Sequence, residues 1–415
     1  MRICLVNTLY QIDTLNNTVG GAEISVRILA ETLAALGHDV HVICLAPPTY
    51  EGQAQVTQHV AQQISGVSIW FVPINNLYFP EGKARPAWQK ILWHGIDSDN
   101  LLMTLPLKRI LKALQPDMVH TNIISGFSTS IWRLCKAMGF PVVHTLRDYY
   151  LLCARGTLYK NEKNCEQSCR SCQLLTHQKK KLSETVSAVV GISQYILDKH
   201  MQAGLFQQVI RREVIHNPFR PGTPYPKVRG HEISDTLSFG FIGQIVPEKG
   251  LALLLEAFTA LNHPQARLLI AGKGTQADWL QQQYQHHPHI KWLGFQHPHD
   301  FFPAIDVLIQ PALWQEPLSR VIIEAYAAGK PVLAAARGGM PEIIEEGKTG
   351  WVFDPNQPQQ LQDLMQQLLD NPQQLAHTDH NSTKAAMNHF TPELVGKRYT
   401  QLYDFILEKQ AQLAS

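Results

Sequence analysis

MRICLVNTLYQIDTLNNTVGGAEISVRILAETLAALGHDVHVICLA, residues 1–46, reads as strand, glycine loop, helix and strand. RICLV is a short apolar run, and the polar loop after it ends in Gly20-Gly21. Val26, Leu29, Leu33 and Leu36 then recur at helical spacing, Gly37 ends the helix, and VHVICL is the next strand. Such a unit implies parallel strands joined by a right-handed crossover. The expected fold class is therefore α/β with a doubly wound, Rossmann-like sheet. Further strands are expected at VSIWFVP, DMVHT, PVVHTL and AVVGIS. Residues from about 75 to 105 show little periodicity and are expected as an irregular insertion.

A change of texture begins at His216-Asn217-Pro218. Residues 218–235 are rich in proline and lack periodicity, which suits an interdomain linker. A second alternating series follows: strand LSFGFIG, helix GLALLLEAFTAL, then strands ARLLIAG, IKWLGF, VLIQPA, PVLAAA and GWVFD. The glutamine-rich stretch 356–374 keeps leucines at helical spacing and is expected as a surface helix. The last stretch, from Pro392, is helical with Leu394, Val395, Leu402, Tyr403 and Ile406 as its apolar positions. Two tandem domains are thus expected. One spans 1–217, with the helix at about 392–415 packing back on it through Tyr399, Tyr403 and Phe405; the other spans 218–391. Ligand loops of doubly wound domains lie at the strand carboxyl ends, so the active site is expected in the cleft between the two.

The chain has 415 residues, enough for two α/β cores, with 45% hydrophobic and 17% charged residues. No apolar run approaches the roughly 20 residues of a membrane span. The N-terminus reads as a strand, not a signal peptide, so a cytoplasmic location is expected. The formal charge of +2 gives no argument for nucleic acid. A basic face at Lys179, Lys180 and Lys181 could touch the inner membrane surface peripherally, although such a run is more often a solvated helix face.

The chemistry concentrates in WQEPLSRVIIEAYAAGKPVLAAARGGMPEIIEEGKTGWVF, residues 314–353. Glu316 and Glu324 are separated by seven residues, and the pattern continues through Gly329-Lys330-Pro331, Gly338-Gly339-Met340-Pro341-Glu342 and Gly350. This resembles the family 4 retaining glycosyltransferases (group 1, GT-B fold), and weaker matches at GGAE and at VPEKG, residues 246–250, extend the resemblance along the chain. Pro317 should start a helix near Leu318 or Ser319, whose free amides make an anion site suited to a diphosphate. The resemblance implies that Glu316 holds the transferred sugar and Glu324 the ribose, with Leu318, Ser319 and Arg320 beside the donor. Taken singly, Glu316 could merely complement the helix dipole and Glu324 be an ordinary helix residue.

Three further elements bear on the donor. Lys249 matches the lysine that contacts the donor diphosphate in this family, where its charge would stabilise the leaving nucleotide. Gln244 stands where an arginine is usual; Arg320 and Arg337 are the candidate substitutes. Gly20 and Gly21 resemble the glycine loop whose amides approach the donor phosphates, though a plain strand-to-helix turn would read the same way. In HTLRDYYLLC the family often has a histidine, set to contact the transferred sugar, where Arg147 stands before Asp148; His144 lies three residues earlier, too soon in the strand to be its equivalent. Arg147 could pin a phosphate or an acidic acceptor, or could salt-bridge Asp148 and do nothing chemical.

GKGTQA, residues 272–277, fits the dinucleotide pattern G-x-G-x-x-A, but the acidic residue expected after the next strand is missing. The resemblance implies that this loop flanks the nucleotide, so Gly272 and Lys273, with Phe295, are assigned to the nucleotide pocket. Cys153, Cys165, Cys169 and Cys172 could hold a structural zinc that staples the loop after Asp148, or stay as free thiols. Asp97-Ser-Asp99 mimics a metal-binding D-x-D and is read as turn chemistry.

The resemblance implies a hexosyltransferase that needs no catalytic metal or cofactor. Its donor would be a UDP-, GDP- or ADP-sugar, and its acceptor a sugar, lipid-linked or polysaccharide hydroxyl. The rival readings are a non-catalytic nucleotide-sugar binder, a sugar-nucleotide epimerase of the same fold, and a Rossmann oxidoreductase.

Overall fold

A computed structural model describes residues 1–10, 20–46, 62–79, 85–221, 236–377, 383 and 386–414. The chain divides into two compact units. Unit 1 comprises Met1–Leu158, Glu166–Phe219 and Thr391–Ser415; unit 2 comprises Tyr159–Cys165 and Arg220–Phe390. The short segment 159–165 thus groups with the second unit, which nothing in its sequence announces. Most of the expected linker, residues 222–235, lies outside the described residues.

The strands up to residue 219 are β1 (Arg2–Val6), β2 (Asp39–Leu45), β3 (Gln62–Ile64), β4 (Val67–Val72), β5 (Met118–Thr121), β6 (Val142–Leu146), β7 (Tyr159–Lys160), β8 (Lys163–Asn164), β9 (Ala188–Gly191) and β10 (Arg211–Val214). β7 and β8 form a separate antiparallel hairpin in unit 2. The others make one sheet in the order β10-β9-β6-β5-β1-β2-β4-β3, parallel except for β3. The order reverses between β1 and β5. Both central strands are buried along most of their length, as a sheet covered on both faces requires.

The helix Gly21–Ala35 buries Val26, Leu29 and Leu33 against this sheet. The C-terminal helix Pro392–Ala414 joins the same core through Val395, Tyr399, Leu402, Tyr403 and Ile406. Leu394, expected on that face, is instead 40% exposed. Two hydroxyls pin the helix to the sheet. Tyr403 Oη lies 2.7 Å from His120 Nδ1, and Tyr399 Oη 3.0 Å from Thr145 Oγ1.

The stretch expected as irregular is helical from Ala87 on. It carries helices Ala87–Asp97 and Thr104–Leu114 with a 3-10 turn between them. Its periodicity is smeared because apolar residues occupy the outer face as well as the inner. Trp93 and Met103 are buried, while Trp88, Ile91, Leu101 and Leu102 are exposed.

Unit 2 continues with β11 (Leu237–Ile242), β12 (Ala266–Ala271), β13 (Ile290–Gly294), β14 (Val307–Gln310), β15 (Val332–Ala335) and β16 (Gly350–Phe353). They form a fully parallel sheet in the order β13-β12-β11-β14-β15-β16. The glutamine-rich segment is the helix Pro358–Asp370, which buries Leu361, Met365 and Leu368.

Candidate active site

Ligands of parallel sheets collect at the strand carboxyl ends where the strand order reverses. In unit 2 that point lies between β11 and β14, so the loops after these strands flank it. The loop after β11 forms one 3-10 turn, Pro247–Lys249, and ends on Gly250 at φ 72°. A Cβ there would meet the Pro311 carbonyl oxygen at 1.9 Å, so glycine is what lets the two loops touch. Lys249 is thereby brought to the loop after β14. Its Nζ lies 2.5 Å from Glu316 Oε2, and Trp314 Nε1 donates to the same oxygen at 3.0 Å.

The loop that carries Glu316 is fixed from both sides. Gly339 N donates to Glu316 O at 2.8 Å, and Gly338 N to Gln315 Oε1 at 2.6 Å. A Cβ on Gly338 would approach Glu316 O to 1.9 Å. On the other side, Asn164 of the β7–β8 hairpin donates through Nδ2 to Leu313 O at 2.7 Å. Its Oδ1 accepts from Gln315 N at 3.1 Å. Sequence reasoning missed Asn164, because a lone asparagine in a hairpin carries no signal of a partner so distant in the chain.

The helix after this loop runs Arg320–Ala327, starting just beyond the expected Leu318 or Ser319. The reason is local. Ser319 is extended, and Gln310 Nε2 donates to its Oγ at 3.1 Å, so the hydroxyl turns toward β14 and caps nothing. The first amides therefore lack a side-chain cap and suit an anion. Leu318 and Ser319 are both buried, so only their backbone can meet a ligand. Glu324 Oε1 accepts from Arg320 Nε at 2.9 Å. Burial raises the Glu324 carboxyl, and the Arg320 charge pulls it back only in part.

Neither expected substitute for the missing arginine stands unengaged. Arg320 pairs with Glu324, while Arg337 donates to Leu313 O at 3.1 Å and to Asn356 Oδ1 at 2.8 Å. Gln244 is exposed on the loop after β11. Gly272 follows β12 at φ 146°, where a Cβ would strike Gly243 O at 1.8 Å. Lys273 Nζ lies 5.9 Å from the centre of the exposed Phe295 ring, which follows β13. These residues thus share the strand-end edge that carries Lys249.

In unit 1, Gly20 caps the helix Gly21–Ala35 without a side-chain bond. A Cβ on it would lie 2.8 Å from Glu23 Oε2. Arg147 makes no salt bridge to Asp148. It is buried, donates through Nε to Asn122 Oδ1 at 2.9 Å, and through Nη1 to Asn217 Oδ1. Asp148 Oδ1 instead accepts from Tyr150 N at 2.9 Å, and burial pushes its carboxyl up to about 6.

The D-x-D pair is neither a metal site nor a simple turn. Asp97 is buried and accepts from Gly126 N at 2.8 Å and from Tyr150 Oη at 2.6 Å; Asp99 pairs with Arg133. Burial pushes Asp97 up to about 7. Lys179, expected on a solvated face, is buried beside this cluster, donates to Tyr150 O at 3.1 Å, and is driven down to about 8 by burial.

The expected cysteine metal site is not assembled. Cys153 and Cys172 approach to 3.9 Å between sulfurs, and Cys169 Sγ bonds Ser171 Oγ at 3.3 Å. Cys165 belongs to the segment that groups with unit 2. Among the described residues no three metal-binding side chains are grouped.

Comparisons with known proteins agree with this layout. The profile of the group 1 glycosyl transferases matches residues 228–385, and that of glycosyltransferase family 4 matches residues 19–221. An uncharacterised 42.6 kDa protein of the Klebsiella pneumoniae cps region is 34% identical over 83% of this chain and 87% of its own length. Glycogen synthase of Mycobacterium tuberculosis is 23% identical over 97% of this chain and 94% of its own length. Among solved structures, sucrose-phosphate synthase of Thermosynechococcus elongatus superposes with a TM-score of 0.73 at 20% identity, covering 100% of both chains. HepE of Anabaena in complex with UDP gives 0.69 at 19% identity, covering 97% of this chain and 100% of its own. The fold is the two-domain GT-B architecture.

Proposed function

The chain belongs to the group 1, family 4 glycosyltransferases, and from that premise we propose that it transfers a sugar from a nucleotide-sugar donor to an acceptor hydroxyl with retention of configuration. The observation that carries this reading is the contact of Lys249 with Glu316 across the β11/β14 switch point. A diphosphate at the uncapped mouth of the helix Arg320–Ala327 would take over Lys249 from Glu316. Glu316, released, would accept hydrogen bonds from the sugar, and Glu324 from the ribose. As the anomeric C–O bond breaks, its electron pair passes to the diphosphate, where Lys249 offsets the charge. The departing phosphate oxygen accepts the acceptor hydroxyl proton as the new C–O bond forms on the same face. No metal is required for this sequence of events. Gly272, Lys273 and Phe295 would flank the base.

The acceptor falls to unit 1, as part of polysaccharide, lipopolysaccharide or glycolipid synthesis. A lipid-linked acceptor is supported by the surface of residues 77–112. Seven of the fourteen large apolar side chains exposed among the described residues lie between Leu77 and Leu105. Within residues 85–112, Lys90, Lys108, Arg109 and Lys112 are exposed, whereas Asp97 is buried and Asp99 is paired with Arg133. Apolar side chains interleaved with cations suit the interface of an anionic bilayer. On the expected face Lys179 is buried, while Lys180 and Lys181 stay exposed without a comparable apolar surface around them.

A thermal-shift screen with UDP, GDP and ADP, each alone and as its glucose conjugate, tests the donor side. UDP leads the set because HepE holds it. One nucleotide should raise the melting temperature, since a ligand specific for the folded state stabilises it. No shift with any of them at millimolar concentration contradicts the proposal.

A further inference from the structure

Unit 1 buries a cation whose hydrogen-bonding capacity is unspent. Arg147 follows β6 and is 6% exposed. Asn122, after β5, holds its Nε, and Asn217, beyond β10, holds its Nη1. Nη2 is buried and has no hydrogen-bond partner among the described residues. Both asparagines are neutral, so they orient the guanidinium without neutralising it. Of the other groups near it, Glu23 acts only through space. Tyr399 and Tyr403 are engaged with Thr145 and His120. His120 and His144 are kept neutral by burial. A buried guanidinium with a donor left over is costly to the fold unless a ligand takes up that donor.

A second feature meets it at the same sheet edge. The 15-residue helix Gly21–Ala35 starts after β1 with no side-chain cap, so its first amides also offer hydrogen bonds to an anion. β1, β5 and β6 are neighbours in the sheet, and the β1/β5 reversal is the ligand-binding point of a doubly wound domain.

We propose that Arg147 Nη2 recognises an oxyanion, a carboxylate or a phosphate, carried by the substrate that unit 1 binds. This rests on the reading of unit 1 as the acceptor-binding unit. The substrate is then an acidic sugar or a phosphorylated one, and a neutral sugar is discriminated against because it leaves the guanidinium unpaired. Arg147 is thus a specificity-determining residue.

The test uses the full chain and isothermal titration. Glucuronic acid against glucose probes the carboxylate arm, and glucose 6-phosphate against glucose the phosphate arm. In the wild type, one charged probe should bind at least tenfold more tightly than glucose. Arg147→Lys keeps the charge but loses the fork and should reduce that preference at least threefold; Arg147→Gln should abolish it. Equal binding of all three sugars by the wild type overturns the inference, whether or not the variants fold. So does a preference that survives in folded Arg147→Gln. UDP titrated into the same samples separates the failures: UDP binding without any charge preference sinks only this inference, and absent UDP binding sinks the donor reading.

Discussion

Lys249 and Glu316 are the pair whose chemistry can be read most directly. Their side chains are only 23% and 13% exposed, so the pair is largely withdrawn from water and desolvation offsets most of its attraction. Lys249→Ala should therefore leave the melting temperature within a few degrees of wild type. It should lower kcat about a hundredfold, as loss of one preorganised charge does. Equal losses of stability and turnover would contradict the assignment. Glu324 lies one helical turn inside and is held by Arg320, so Glu324→Ala should weaken nucleotide affinity more than it slows bound substrate, which titration with UDP would reveal. The spacing of Glu316 and Glu324 was legible from the sequence. The i,i+4 spacing of Arg320 and Glu324 is local as well, whereas Lys249, 67 residues from Glu316, becomes its neighbour only through loop geometry.

At the scale of elements, the loop Leu313–Glu316 is held by side chains from two other segments, Asn164 on one side and the Gly338–Gly339 turn on the other. Asn164→Ala removes two hydrogen bonds to that loop and should reduce kcat on the order of tenfold with little change in UDP affinity. Gly338→Ala meets Glu316 O at a positive φ of 58°, and should cost more than Asn164→Ala in both turnover and stability. If Asn164→Ala turns over at the wild-type rate, the hairpin has no positioning role. The strands were read correctly from apolar runs where they are central and buried. β10, with its sequence RREV, and the β7–β8 hairpin were missed because short polar edge strands lack alternation. The helices Ala87–Asp97 and Thr104–Leu114 were missed for the opposite reason, an outer face too apolar to show a period. If that face meets a bilayer, Trp88→Glu with Leu102→Glu should abolish sedimentation with phosphatidylglycerol vesicles and leave UDP binding intact. Equal sedimentation of variant and wild type would exclude this surface.

For the molecule as a whole, acid is the predicted weakness. His120, His144 and His200 are buried in unit 1 and kept neutral by desolvation, His144 at about 3 and His200 at about 4. A histidine depressed in the folded state favours folding fully only above its unfolded value, near 6.5. That contribution is lost as pH falls from there toward the folded values, by up to about 1.4 kcal/mol per unit for each histidine. Asp97 and Asp148, raised to about 7 and about 6, act in the opposite sense over the same range, so the urea midpoint should fall less steeply than the three histidines alone would give, and His144→Gln should flatten the slope further. A slope unchanged in folded His144→Gln would contradict the burial. The network of His120 with Tyr403, and of Thr145 with Tyr399, ties the C-terminal helix to the sheet, so the same titration should loosen that helix.

The sequence by itself determined the two parallel sheets, the positions of most of their buried strands and the pair of glutamates beside a helix mouth. Each of these is written in local spacing, a period of hydrophobicity or a turn residue. The tertiary structure alone decided which cations are available. It buried Lys179, committed Arg337 to Asn356, and left Arg147 with an unused donor. It also drew Asn164 onto the loop of Glu316. These outcomes depend on side chains that lie 19 to 151 residues apart along the chain, and no local pattern encodes such a partner.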